Sequence, residues 1–305
     1  MKRREFLRNS AAGLLAAWGG GSVLAQTAQA AKLERIAISS YCFHNLFPKT
    51  RGSGGPAVEG KPLDLLALPE MFADRYGVHN LEVVAPHFAS QEPAYLQEVV
   101  AQLKRTHSRI VDVPVDIGEL WDKPGLSAAD ERLRARAVSL YKPWFDTAHA
   151  VGARSVRCDP GKINSQDLTP TIQSYRELAA YAKPRGLYVI VENHGGVGSE
   201  HPEELVRILH EAGDQTGTLP DFGNFPDEDT RVRGLTALFP LARTVCHVRD
   251  TEGDGKGGLV HFDLARCLRI SREAGYKGLY SIEAEARGDV YANVQYVLDA
   301  ILKFL

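Results

Sequence analysis

The sequence predicts a single (β/α)8 TIM barrel, and three observations support that fold class. From Leu33 onward, short runs rich in β-branched and apolar residues alternate with longer segments of helical period up to the C-terminus. The alternation gives about eight strand–helix pairs in roughly 275 residues, which is the usual size of such a barrel. No Gly-x-Gly-x-x-Gly turn follows the first strand, whereas an open nucleotide-binding sheet would have one there.

The period of the hydrophobic residues predicts the strands and helices, and capping and glycine residues mark the helix ends. The predicted strands cover Ile36–Ser40, Leu81–Val84, Ile110–Val115, Ser155–Cys158, Tyr188–Glu192, Gly217–Asp221, Thr244–Val248 and Leu279–Glu283. The predicted helices cover Leu65–Tyr76, Pro93–Thr106, Ala128–Val151, Leu168–Arg185, Pro202–Glu211, Arg231–Phe239, Leu264–Ala274 and Val290–Phe304. We expect Ser127 to cap the third helix, and Gly152, Gly186 and Gly275 to follow helix ends.

Composition and charge exclude several classes of protein. The 305 residues are 44% hydrophobic and 24% charged, as in an ordinary globular protein. Residues 1–30 hold four basic side chains and one acidic one, which leaves 32 basic and 37 acidic side chains in the remainder. A chain with that acidic excess lacks the basic surface that nucleic-acid binding requires. The four cysteines lack the spacing of a zinc site and are expected to be buried thiols.

The N-terminus predicts export from the cytoplasm. Lys2, Arg3 and Arg4 precede Phe6-Leu7 and a mild apolar run, which resembles a Tat signal, and Ala28-Gln29-Ala30 offers a peptidase site. We therefore divide the chain into a signal peptide, residues 1–30, and a barrel domain, residues 31–305. The Tat export machinery is the expected partner, and the periplasm is the expected destination after removal of the signal near Ala30. The apolar run is too short to span a bilayer, so no stable membrane insertion is expected.

Residues 49–61 form a glycine-rich insertion after the first strand. In a barrel this position lies at the carboxyl end of the strands, where active sites are built. A lid over the mouth and an ordinary surface loop both remain open.

Four polar residues end four consecutive predicted strands: Glu192, Asp221, His247 and Glu283. The carboxyl ends of barrel strands converge on one mouth, so these side chains should meet there. Three carboxylates held close together would repel each other unless a cation neutralised them. The set therefore predicts one divalent metal ion. With three oxygen ligands and one nitrogen ligand we expect Mn²⁺, with Mg²⁺, Co²⁺, Fe²⁺ and Zn²⁺ as alternatives.

At these residues the chain resembles the sugar isomerase/epimerase superfamily of xylose isomerase-like barrels. The order Glu192, Asp221, His247, Glu283 matches the metal set of its epimerase branch, and Val-Glu-Asn-His, Asp-Phe-Gly-Asn and His-Val-Arg-Asp are similar to its strand ends. The resemblance implies a metal-bound hydroxy-ketone whose neighbouring carbon loses and regains a proton. It assigns the acid and base roles to Glu192 and Glu283, the first and last ligands.

Other polar residues near the strand ends are predicted to bind substrate. We expect His194 and Asn224 to donate hydrogen bonds to substrate hydroxyls, and Arg249 to contact the substrate. Glu82 is expected to be a buried polar group bonded to the first strand or to the substrate. The chain has Asn224 where the epimerases commonly have a histidine and Gly253 where they commonly have an arginine.

The expected substrate is a free sugar or a sugar derivative, because no Gly-rich phosphate turn backed by a helix N-terminus is found. The main alternative is a lyase on the same scaffold, which eliminates the aglycone from 3-keto-glycosides after the same proton abstraction. A nuclease is disfavoured by the acidic excess. A non-catalytic sugar-binding barrel and a homo-oligomer are both left open.

Overall fold

Eight short parallel strands form the centre of the protein. The structure is a computed structural model, and it describes residues 27–52, 61–120, 123–253 and 258–305. The strands neighbour one another in the order β6-β5-β4-β3-β2-β1-β10-β7. Since each of these strands is followed by helix on the outside of the sheet, the architecture is a single (β/α)8 barrel, as the sequence predicts.

The elements are numbered in chain order. The strands of the barrel are β1 (Ile36–Ser39), β2 (Asn80–Glu82), β3 (Arg109–Pro114), β4 (Ser155–Arg157), β5 (Tyr188–Glu192), β6 (Thr216–Leu219), β7 (Val245–Val248) and β10 (Leu279–Ile282). A two-stranded hairpin adds β8 (Thr251–Gly253) and β9 (Leu259–His261). The helices are α1 (residues 27–33), α2 (Leu68–Tyr76), α3 (Pro93–Arg105), α4 (Glu131–Ala150), α5 (Thr169–Ala182), α6 (Gly196–Glu200), α7 (Pro202–Ala212), α8 (Glu228–Leu238), α9 (Leu264–Glu273) and α10 (Val290–Phe304).

The barrel is closed between β6 and β7 by two isolated parallel bridges. Thr218 pairs with Ala242, and Asp221 pairs with His247. The predicted sixth strand, Gly217–Asp221, therefore ends two residues early, at Leu219. Pro220 has no N–H to donate to a continuous ladder, which accounts for the early end. The bridge nevertheless sets two of the predicted ligands side by side.

Aspartate side chains begin several of the helices. The Asp130 side chain accepts from the backbone N–H groups of Arg132 and Leu133, so α4 begins at Glu131. The prediction that Ser127 caps this helix is wrong, because the Ser127 hydroxyl donates to the carbonyl of Pro160 instead. Likewise, Asp227 caps α8, which therefore begins three residues before the predicted Arg231.

The hydrophobic core has two parts. The larger part lies between the strands and the surrounding helices. The smaller part fills the barrel and consists of Ala37, Val111, Ile190, Leu219 and Val245. The buried polar side chains of the candidate site lie towards the carboxyl ends of the strands.

Helices α1 and α6 and the β8–β9 hairpin were not predicted. Helix α1 precedes the barrel, α6 lies in the segment after β5, and the hairpin follows β7. The hairpin is anchored by Arg231, which is 1% exposed, pairs with Glu252 and Glu228, and lies 4.2 Å from the ring centre of Phe262. The anchor holds the segment that follows His247 against the rim of the mouth.

Several predictions concern residues outside the described ranges. Most of the predicted signal peptide, residues 1–26, lies outside them, as do residues 53–60 of the insertion that was considered as a lid. The start of that insertion is described, and there Lys49 donates to the carbonyl of Phe88 at 2.7 Å. Among the helices described, none combines the length and apolar character needed to cross a membrane.

Candidate metal and active site

The four predicted metal ligands meet at the mouth of the barrel. One ligand atom from each of Glu192, Asp221, His247 and Glu283 lies within 4.8 Å of all the others. Glu192 ends β5, Asp221 follows β6, His247 lies in β7 and Glu283 follows β10. Their convergence is the geometric consequence of four neighbouring parallel strands that end at one edge.

The imidazole lies at the centre of the cluster. Nδ1 of His247 is 3.2 Å from Oε1 of Glu192, 3.5 Å from Oδ2 of Asp221 and 3.5 Å from Oε2 of Glu283. The four side chains are nearly or fully buried, and Glu283 is the most exposed of them, with 11% of its side chain accessible. Three carboxylate oxygens and one imidazole nitrogen at this separation can surround one divalent ion.

The Asn193 side chain holds Asp221 in place. Its amide donates to the backbone carbonyl of Asp221 at 3.0 Å, and its carbonyl accepts from the Asp221 N–H at 2.8 Å. These bonds replace the ladder that the strand loses at Pro220. The Asp221 carboxylate in turn accepts from the N–H groups of Gly223 and Asn224, at 2.6 and 3.0 Å. Both the backbone and the carboxylate of Asp221 are therefore held in place.

Glu192 is held by two partners besides His247. Arg157, at the end of β4, pairs with Oε2 of Glu192 and also with Asp116. The Asn224 amide donates to Oε1 at 3.0 Å. Asn224 is therefore in contact with a predicted ligand, in a position that also borders the mouth. Its predicted role in substrate binding remains a prediction.

Arg249 lies between two of the predicted ligands. Its guanidinium is 2.5 Å from Oδ2 of Asp221 and also pairs with Glu283. The side chain passes over Gly223, where an added Cβ would come within 2.5 Å of the Arg249 Cδ. The glycine of the Asp-Phe-Gly-Asn segment therefore leaves room for this arginine. A guanidinium next to both carboxylates compensates part of their negative charge.

The pKa values of Glu192, Glu283 and His247 are shifted in different directions. Burial raises the pKa of Glu192, but Arg157 and His247 outweigh burial and hold that pKa well below its usual range. Burial raises the pKa of Glu283 to about 7, against the lowering effect of Arg249 and His247. For His247 burial lowers the pKa, but the charges of Glu283, Glu82 and Glu192 outweigh it and raise the pKa well above the usual value.

His194 lies beside this cluster. Its Nδ1 is 3.9 Å from a carboxylate oxygen of Asp159, and 37% of its side chain is exposed. The structure therefore gives His194 access to the mouth without bringing it into the four-residue set. Its assignment to substrate binding remains a prediction.

Sequence reasoning placed Glu82 correctly inside the barrel but did not find its partner. Glu82 is fully buried and accepts a hydrogen bond of 2.8 Å from Nε2 of His247, across the barrel from β2 to β7. Contact between non-neighbouring strands depends on barrel closure and side-chain length, and no local pattern in the sequence encodes it. Arg157, at the end of β4, is likewise a direct partner of Glu192.

Comparison with known proteins gives similar barrels. The inosose dehydratase of Yersinia enterocolitica is 24% identical over 207 residues, which are 55% of this chain and 70% of that protein. The solved structure of a D-tagatose 3-epimerase-like protein is 18% identical with a TM-score of 0.65, covering 88% of this chain and 97% of that one. A barrel from Mycobacterium smegmatis, solved in complex with magnesium, is 15% identical with a TM-score of 0.61, covering 89% and 97%.

The family assignment comes from a comparison with family models. The model described as xylose isomerase-like TIM barrel matches residues 72–303, which is more than half of the chain and includes the four residues of the cluster. The chain belongs to the xylose isomerase-like TIM barrel family.

Proposed function

We propose that the protein is a divalent-metal-dependent isomerase or epimerase that acts on a free sugar or a sugar derivative. The observation that supports this most directly is the position of His247 Nδ1, which lies within 3.5 Å of an oxygen of three buried carboxylates. Such a set at the mouth of a barrel is suited to chemistry on a small chelating substrate.

The residues fit a divalent cation. Glu192, Asp221 and Glu283 would supply oxygen ligands, and His247 would supply Nδ1. Carboxylate oxygens with one imidazole suit Mn²⁺ and Mg²⁺, and we retain Mn²⁺ as the proposed ion. When bound, the ion would make the C–H bond beside a chelated carbonyl more acidic by stabilising the negative charge that develops on oxygen.

We propose that Glu192 and Glu283 move the proton. Two strands, β6 and β7, separate the strands that carry them, so the two carboxylates approach the centre from different sides. One would remove the proton from the carbon beside the carbonyl, and the other would return a proton to the opposite face. Arg157 holds the first carboxylate and Arg249 the second, which keeps both oriented towards the substrate.

The relatives support a carbohydrate substrate. One is named as a D-tagatose 3-epimerase-like protein and another as an inosose dehydratase. Both names describe proteins of sugar or polyol chemistry, in which a carbonyl stands beside hydroxyl-bearing carbons. We therefore propose a ketose or an oxidised sugar derivative as the substrate of this chain.

A second candidate is β-elimination from the same kind of substrate. The match to a dehydratase favours it, because a dehydratase removes a proton and expels a leaving group from neighbouring carbons. Here one carboxylate would take the proton, and the other would protonate the departing oxygen. With a 3-keto-glycoside the leaving group would be the aglycone.

The test is proton exchange with solvent. Residues 31–305 are loaded with Mn²⁺ and incubated in deuterated water with free ketoses and 3-keto-glycosides, and NMR follows deuterium uptake, product configuration and aglycone release. We expect deuterium at one carbon, with inversion in an intact sugar for the epimerase and aglycone release for the lyase. Glu192→Gln and Glu283→Gln should each slow the exchange by at least about 100-fold.

Glu70→Gln is the matched control, because Glu70 lies on the exposed face of α2 and pairs with Arg105 at the surface. It should exchange as the wild type does. The proposal fails if both site variants retain wild-type exchange, or if no substrate in the panel exchanges while Mn²⁺ is bound.

A further inference from the structure

A fourth carboxylate lies directly behind the three carboxylates of the cluster. Glu82 is at the end of β2, where the register with β3 shifts by one residue, and it is fully buried. Burying an ionised carboxylate is unfavourable unless a donor compensates it. Its donor is Nε2 of His247, at 2.8 Å, and that imidazole is itself 1% exposed.

The two ring nitrogens of His247 therefore have separate partners. Nε2 faces Glu82, and Nδ1 faces the three carboxylates of the cluster at 3.2 to 3.5 Å. A carboxylate that accepts from Nε2 keeps the proton on that nitrogen. Nδ1 is then the nitrogen that gives up its proton and offers its lone pair when a cation binds, and the ring cannot turn over without losing the bond to Glu82.

We propose that Glu82 is a positioning residue, which fixes the tautomer and orientation of His247 so that Nδ1 points to the metal. The inference rests on the proposed function, since it assumes that the four-residue cluster binds a divalent ion. Hydrogen bonding of a ligand imidazole to a carboxylate also raises its basicity, and loss of such a partner typically weakens metal binding by 10–100-fold.

Asp112 provides a matched control inside the same barrel. It is the neighbour of Glu82 in the pairing of β2 with β3, it is also fully buried, and it is a carboxylate. Its partner is the Ser155 hydroxyl rather than a residue of the cluster. A change at Asp112 therefore disturbs the interior of the barrel without removing the bond to His247.

The experiment measures the binding of Mn²⁺ alone, by calorimetry, to wild type, Glu82→Gln, Glu82→Met and Asp112→Asn. We expect Glu82→Met to bind Mn²⁺ 10–100-fold more weakly and Glu82→Gln at least about threefold more weakly, while Asp112→Asn stays within twofold. In ¹⁵N NMR spectra of the Zn²⁺-loaded protein, wild-type His247 should carry its proton on Nε2, and Glu82→Met should lose that single pattern.

If Glu82→Met does not fold, Glu82→Gln decides the question. Equal Mn²⁺ affinity in wild type and every folded Glu82 variant would overturn the inference, as would an Asp112→Asn loss as large as that of Glu82→Gln. The variant Asp221→Asn distinguishes failure of this inference from failure of the proposed function. If it abolishes Mn²⁺ binding while the Glu82 variants bind normally, only the inference fails, and if wild type binds no Mn²⁺ the proposed function fails too.

Discussion

Two side chains of the cluster are held by buried neighbours that are not themselves in the cluster. Arg157 contacts Glu192, and Glu82 contacts His247. Such contacts reduce the number of orientations open to a ligand side chain, so less conformational entropy is lost when an ion binds. The four cluster residues could be predicted from the sequence because they end neighbouring strands, but the residues that hold them are far away in the sequence and could not be found by position alone.

The buried carboxyl group of Asp112 predicts that the free energy of unfolding depends on pH. Burial, together with the charge of Glu82, raises the pKa of Asp112 to about 7. A carboxyl whose pKa is raised by folding stabilises the folded chain at low pH, and that contribution is lost as the pH rises from about 4 to 7. Asp112→Asn removes this loss, so its free energy of unfolding relative to wild type should increase by about 2–4 kcal/mol between pH 4 and pH 8.

The measurement is urea unfolding at both pH values with a chelator present, because a bound ion would add its own pH dependence. Asp74→Asn, on the exposed face of α2, is the control and should differ from wild type by the same small amount at both pH values. A difference between Asp112→Asn and wild type that does not change with pH would contradict this reading.

The cluster residues lie at the ends of strands, and the turns that follow these strands hold their side chains in place. The eight strands and their following helices were predicted close to their observed bounds, because period and helix caps are local properties of the chain. The β8–β9 hairpin and α6 were not predicted, since short elements at the rim depend on tertiary anchors such as Arg231 and Glu252.

The contact between the turn after β1 and the end of β10 gives a further test. The Cys42 thiol, in the turn after β1, donates to the carbonyl of Ile282 and accepts from the N–H of Ala284, both at 3.2 Å. It therefore braces the backbone on both sides of Glu283. We expect Cys42→Ala to lower the free energy of unfolding by about 1–3 kcal/mol and to weaken Mn²⁺ binding several-fold, with Cys42→Ser partly restoring both.

Cys267→Ala is the matched control, because Cys267 is equally buried but lies in α9, one of the helices that surround the strands. It should lose stability without losing affinity for Mn²⁺. Denaturant unfolding and calorimetry on the three variants check both quantities. Equal Mn²⁺ affinity in Cys42→Ala and Cys267→Ala would show that the thiol contributes packing alone.

The barrel fold brings the four residues of the cluster together at one site, although they are spread over about ninety positions of the sequence. The spacing of the strands in the sequence predicts the fold and the four residues of the cluster. It could not give the position of Arg249 between Asp221 and Glu283, since that depends on the space left over Gly223. Predicted export also concerns the whole chain and remains a prediction, because most of the signal lies outside the described residues.

The central claim is that Glu192, Asp221, His247 and Glu283 form one divalent metal site. The most direct test is titration of the chelator-treated protein with Mn²⁺, by calorimetry and by thermal unfolding. We predict one equivalent bound per chain and, at a free concentration of about 100 times Kd, roughly 2.7 kcal/mol of added stability. Asp221→Asn and His247→Ala should lose both effects. Wild-type protein that binds no Mn²⁺, Mg²⁺, Co²⁺, Fe²⁺ or Zn²⁺, or variants that bind Mn²⁺ as tightly as wild type, would contradict the account.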